Sequence, residues 1–136
     1  MIDPNSKELF LIEKNKKKKQ NIYKIDTENI EIDEIQKAKK YLTLNLKNLK
    51  GEITGGEISR NGQKCLIKTY KNVFLWERKK DEKWKNIWSQ APKILKYIPE
   101  SQGEAICWSN DENAYFTLSE NENSDQEQNL FKYLKN

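Results

Sequence analysis

The 136-residue sequence contains no histidine. That excludes a histidine-based catalytic triad. The only two cysteines, Cys65 and Cys107, stand at no metal-ligand spacing, which removes a zinc site as well. They are expected as two buried, reduced thiols. Glycine and proline are scarce, at five and three residues, while lysine, asparagine, isoleucine and glutamate are abundant. That bias matches an AT-rich coding genome and carries no functional argument. No run of about 18 apolar residues occurs, so no membrane-spanning helix is expected. The opening stretch MIDPNSKELF lacks the basic and apolar regions of a signal peptide. The compartment is therefore left open.

Aromatic residues are well represented. Four tryptophans, six tyrosines and four phenylalanines argue for a folded chain. With 35% hydrophobic and 34% charged residues its core must be lean, and the length suits one domain. Charge is polarised along the chain. Residues 1–50 carry 12 lysines against 8 acids and residues 51–100 carry 11 basic residues against 6 acids. Residues 101–136 reverse the balance, with 2 lysines against 7 acids. A net charge of +4 distributed in this way is a weak argument for nucleic acid.

Three stretches stack without gaps: IDPNSKELFLIEK from Ile2, ISRNGQKCLIKTY from Ile58 and WSNDENAYFTLSE from Trp108, at offsets of 56 and 50 residues. Each begins with a large apolar residue, crosses a polar turn and enters an apolar run. Asn61-Gly62 predicts a type I′ hairpin turn, with positive φ at both positions. A second set of strings follows in the same order: NIYKI from Asn21, NVFLW from Asn72 and NLFKY from Asn129. Further strands are expected at KYLTLNL near Lys40 and PKILKYI near Pro92. A unit of about 50 residues with four strands is the pattern of β-propeller blades. The expected fold is thus all-β, a partial β-propeller of about two and a half four-stranded antiparallel blades. The whole chain forms one domain, with units at about 1–50, 51–100 and 101–136. The innermost strand of the first unit is expected only as the stub MID.

The run Lys16 to Lys19 occupies the loop that is minimal in the second unit and acidic in the third (NENSDQEQ). One position that accepts all three fillings reads as a solvated hairpin tip. No aromatic residue interleaves the lysines, as a single-strand platform requires. A nucleic-acid partner is therefore not favoured, although lysine-mediated anion binding stands as an alternative. Two and a half blades leave sheet ends unstacked, so self-assembly, a protein partner or membership in a longer propeller is expected.

Further motifs carry a resemblance. Ile53-Thr54-Gly55, Ile58-Ser59, Asn61-Gly62, Lys68-Thr69-Tyr70, Trp76-Glu77, Gln102-Gly103-Glu104-Ala105-Ile106 and Thr117-Leu118-Ser119-Glu120 resemble the C-terminal blades of a bacterial β-propeller family of unassigned function. That family is mostly secreted or periplasmic, and is distantly similar to phytase-like and NHL/SMP-30-type propellers. Its upstream blades and export signal have no counterpart in this chain. The resemblance implies a propeller fold and leaves function open.

Glu57 and Glu104 are expected at the start of innermost strands. There a carboxylate can hold Ca²⁺ or act as a general base, or it can cap backbone N–H groups between blades, which is the favoured reading. Arg60, Lys68 and Arg78 are candidates for a phosphorylated ligand, as the likeness to phytase-like propellers implies, set against the ordinary reading of solvated cations. Trp84 and Trp88, at i and i+4 in DEKWKNIWSQAPKIL, suggest core packing or a short helical excursion presenting an aromatic patch to a partner. The preferred function is a non-catalytic scaffold or interaction module. A remnant Ca²⁺-dependent hydrolase using Glu57 and Glu104 is the enzymatic alternative.

Overall fold

The computed structural model describes residues 1–15, 19–27, 30, 33–45, 52–120 and 128–135. Among these residues ten strands form three antiparallel sheets, each a meander of sequence neighbours. The first sheet holds β1 (Leu9–Ile12), β2 (Lys19–Ile25) and β3 (Lys39–Asn45). The second holds β4 (Ile53–Ile58), β5 (Lys64–Thr69), β6 (Val73–Glu77) and β7 (Lys93–Leu95). The third holds β8 (Gly103–Trp108), β9 (Ala114–Ser119) and β10 (Phe131–Leu134). One helical turn, α1 (Trp84–Ile87), sits between β6 and β7. The chain is all-β and antiparallel, as expected.

The three stacked hairpins share one register. Ile2 bridges Leu9, Ile58 pairs with Cys65, and Trp108 pairs with Tyr115. The next strand meets the same positions, with Leu9 opposite Ile25, Cys65 opposite Trp76, and Tyr115 opposite Tyr133. The first sheet has only the Ile2 bridge where the others have a full strand, matching the expected stub.

The turn chemistry differs from expectation. In the second hairpin only Gly62 has positive φ (+71°), and its N–H donates to the Ser59 carbonyl. This is a type I turn closed by a left-handed residue, not a type I′ turn. Asn61 instead spends its side chain within the turn, accepting from Ser59 Oγ and the Gln63 N–H. Glu112 takes the left-handed position in the third hairpin (φ +55°).

The central strands of the second sheet, β5 and β6, are buried on both faces. The β5 strand is covered from Cys65 to Thr69, Lys68 included. Cys65, Ile67, Phe74 and Trp76 face the first sheet and pack with its Phe10, Ile22 and Leu44. Leu66, Val73 and Leu75 face the other way and pack with Tyr115 and Tyr133 of the third sheet. Side-chain alternation along a strand sends neighbouring residues to opposite covers. A register shift between Ile22 and Tyr23 leaves Tyr41 as an extra residue on β3. This bulge turns Tyr41 into the core, 5.4 Å from the Phe10 ring and 6.4 Å from Trp88.

The second and third sheets approach most closely through β4 and β8. Gly55 permits this contact, since a Cβ there would lie 2.8 Å from the Glu104 carbonyl oxygen. Thr54 Oγ1 donates to the Gly103 carbonyl at 2.9 Å.

Candidate functional site

Glu104 is placed by a bulge. The β8–β9 register shifts between Gly103 and Ala105, leaving Glu104 outside the ladder; β4 has the same irregularity at Thr54, 50 residues earlier. The side chain thus freed meets the other two sheets. Glu104 Oε1 accepts from Lys14 Nζ and from the Tyr70 hydroxyl, both at 2.6 Å. Lys14 follows β1 and Tyr70 follows β5, so one carboxylate joins all three sheets. The Lys14 bond, then the Tyr70 bond, hold the Glu104 carboxyl below its usual range. A carboxylate stabilised in this way is a poor general base.

Glu57 behaves differently. Its Oε2 accepts the Trp108 backbone N–H at 2.5 Å, from the third sheet. Burial raises its pKa, and the N–H bond opposes the rise. This geometry is the inter-sheet cap foreseen for such a carboxylate. Among the described residues no group of three or more Cys, Asp and Glu side chains is arranged to hold a metal ion.

The three basic candidates do not converge. Arg60 is exposed in its turn. Lys68, expected to be solvated, is fully buried between the second and third sheets. Its Nζ donates to the Gly103 carbonyl, lies 3.7 Å from the Glu100 carboxylate and stands 4.8 Å over the Tyr97 ring. Burial lowers its pKa, with Glu100 opposing. Arg78 is committed to the fold. It donates to Asp3 at 2.7 Å and to the Gly62 and Glu82 carbonyls, and stacks 4.4 Å above Trp84. Asp3, Arg78, Glu82 and Trp84 line a groove of about 990 Å³ beside the first two turns.

Trp84 and Trp88 form no surface patch. Both are buried, stacked at 5.2 Å, and Trp88 meets the Phe10 ring edge-on at 5.0 Å. The helical excursion exists, but it folds inward because its indoles fill the gap between the first two sheets. Of the cysteines, Cys65 is buried with its thiol pushed up to about 12 by that burial, whereas Cys107 is exposed, contrary to expectation. Residues 16–18 of the lysine run and the acidic stretch 121–127 lie outside the described residues.

Sequence reading passed over Lys14 and Tyr70. The signal was there, since they occupy one position of the stacked hairpins, 56 residues apart. It also passed over the bonds that tie the turns together. Asn5 Nδ2 donates to the Asn61 carbonyl, and the Asn61 N–H donates to the Glu112 carboxylate, which Lys64 also contacts at 3.1 Å.

Among the described residues, two sheet faces turn apolar side chains outward. The outward face of the third sheet carries Phe116, Leu118, Leu130 and Leu134, of which Leu130 and Leu134 are 63% and 68% exposed. The outward face of the first sheet carries Leu9, Leu11, Tyr23 and Ile25, with Leu11 44% exposed. No family model, curated protein or solved structure matches this chain.

Proposed function

We propose that this chain is a non-catalytic, propeller-type scaffold, a series of stacked blades whose end faces serve as interaction surfaces. The observation that carries this reading is the contrast between the second sheet and its neighbours. The central strands of the second sheet are largely apolar and covered on both faces, while each flanking sheet carries apolar side chains on its outward face, the third at the positions equivalent to Leu66 and the first at those equivalent to Cys65. Sheets of this kind keep their apolar sides dry only in series. The resemblance to bacterial propeller blades agrees with this arrangement.

The carboxylates proposed for a hydrolase are employed otherwise, Glu104 as an inter-sheet ion pair and Glu57 as a backbone cap. Phosphate-ester and carboxyl-ester hydrolysis is therefore expected at buffer background, with and without Ca²⁺. The thermal unfolding midpoint should not respond to Ca²⁺ or to chelator. Calcium-dependent hydrolysis that disappears in Glu57→Gln or Glu104→Gln would replace the scaffold reading with the hydrolase one.

A further inference from the structure

We propose that the outward face of the third sheet docks on the outward face of the first sheet of a second copy, reciprocally, closing a two-chain ring of six sheets. The inference rests on the propeller-type reading and names the partner for its end faces.

Continuity with the internal interfaces is the first argument. The shared register makes Phe10, Leu66 and Phe116 equivalent, and likewise Leu9, Cys65 and Tyr115. Phe10 is covered by the second sheet and Leu66 by the third. Phe116 belongs to the same series and faces outward. Cys65 is covered by the first sheet and Tyr115 by the second, while Leu9 faces outward. The last outward face is thus of the kind that always has a cover, and the first outward face is of the kind that always supplies one. Placing one on the other repeats the existing contact a third time.

Charge is the second argument. Residues 1–50 have a net charge of +4 and residues 101–136 of −5, so head-to-tail pairing brings together units of opposite net charge. Closure sets the number of copies. A head-to-tail contact gives either a ring or an open filament. Propellers close with about 4 to 8 blades. With the three sheets of the described residues in each copy, two copies give six, within that range, whereas three copies give nine.

Light scattering on the eluting 136-residue chain should give twice 16.2 kDa at micromolar concentration. Leu11→Glu and Leu118→Glu should each give a monomer with an unchanged far-UV spectrum. Mixing these two variants should restore a heterodimer, because one intact interface forms between them. Cys107, on the third sheet's outward face opposite Phe116, supplies a second readout. Its alkylation should be slow in the wild type and several-fold faster in Leu11→Glu, although Leu11 lies on a different sheet; buried Cys65 serves as the internal control.

A monomer with freely alkylated Cys107 overturns the proposal and assigns these faces to further sheets of a longer chain or to another protein. Open-ended oligomers overturn ring closure. Association that only one of the two variants disrupts indicates pairing of like faces and overturns the head-to-tail arrangement. The scaffold reading is judged separately, by calcium-dependent hydrolysis alone.

Discussion

Glu57 shows how one residue's surroundings override its type. A carboxylate on an inner strand invites a metal or catalytic reading, yet this one is desolvated between two sheets and accepts the Trp108 N–H. Its pKa is raised above the ordinary 4.5, chiefly by burial. The folded state therefore holds a proton that the unfolded chain has released, over the interval from about pH 4.5 up to the raised value. Stability contributed by this group falls as pH rises through that interval. Glu57→Gln keeps an oxygen for the Trp108 N–H and has no proton to lose. In urea titrations the variant should gain stability relative to the wild type as pH goes from 4 to 7. A difference that does not change with pH would show that the carboxyl is not desolvated in solution. Lys68 departs from the expectation of a solvated cation for a related reason. On a single exposed sheet a strand lysine is solvated, but a sheet covered on both faces leaves it no outlet. The Gly103 carbonyl, Glu100 and the Tyr97 ring satisfy it instead.

At the scale of elements, turns and bulges do the positioning. The Asn-Gly pair correctly marked a hairpin, but the intervening polar residues closed it as a type I turn with one left-handed position. That position is occupied by Gly62, and a Cβ there would come within 2.3 Å of Asn5 Nδ2 in the neighbouring turn. Gly62→Ala should destabilise the protein by about 1–2 kcal/mol, the cost of a left-handed non-glycine residue. Chemical denaturation measures this, and an unchanged midpoint would mean that the turn relaxes freely. The bulge at Glu104 had no legible signal in the sequence, because register is a property of two strands and not of one. The i, i+4 tryptophans did predict a helical turn. Whether its indoles point out or in depended on the gap between the first two sheets, which single-strand patterns do not describe.

For the whole molecule, the second sheet is the shared element. It contributes to both core clusters, so neither flanking sheet retains its packing without it. Unfolding should then be a single transition. Tryptophan fluorescence is weighted toward the first interface by Trp76, Trp84 and Trp88, whereas far-UV circular dichroism reports every sheet. The two probes should trace one coincident urea curve. Separate midpoints would show that the sheets are independent units.

The period of the hairpins, the strand positions and the stub of the first unit were all legible, because alternation and turn chemistry are local. Local pattern alone therefore determined that this chain makes three similar antiparallel sheets. Only the stacking decided which faces are covered, which cations are buried and which carboxylates are already spent. Those outcomes depend on groups distant in the sequence, 35 residues between Lys68 and Gly103 and 51 between Glu57 and Trp108, and no window of neighbouring residues contains them.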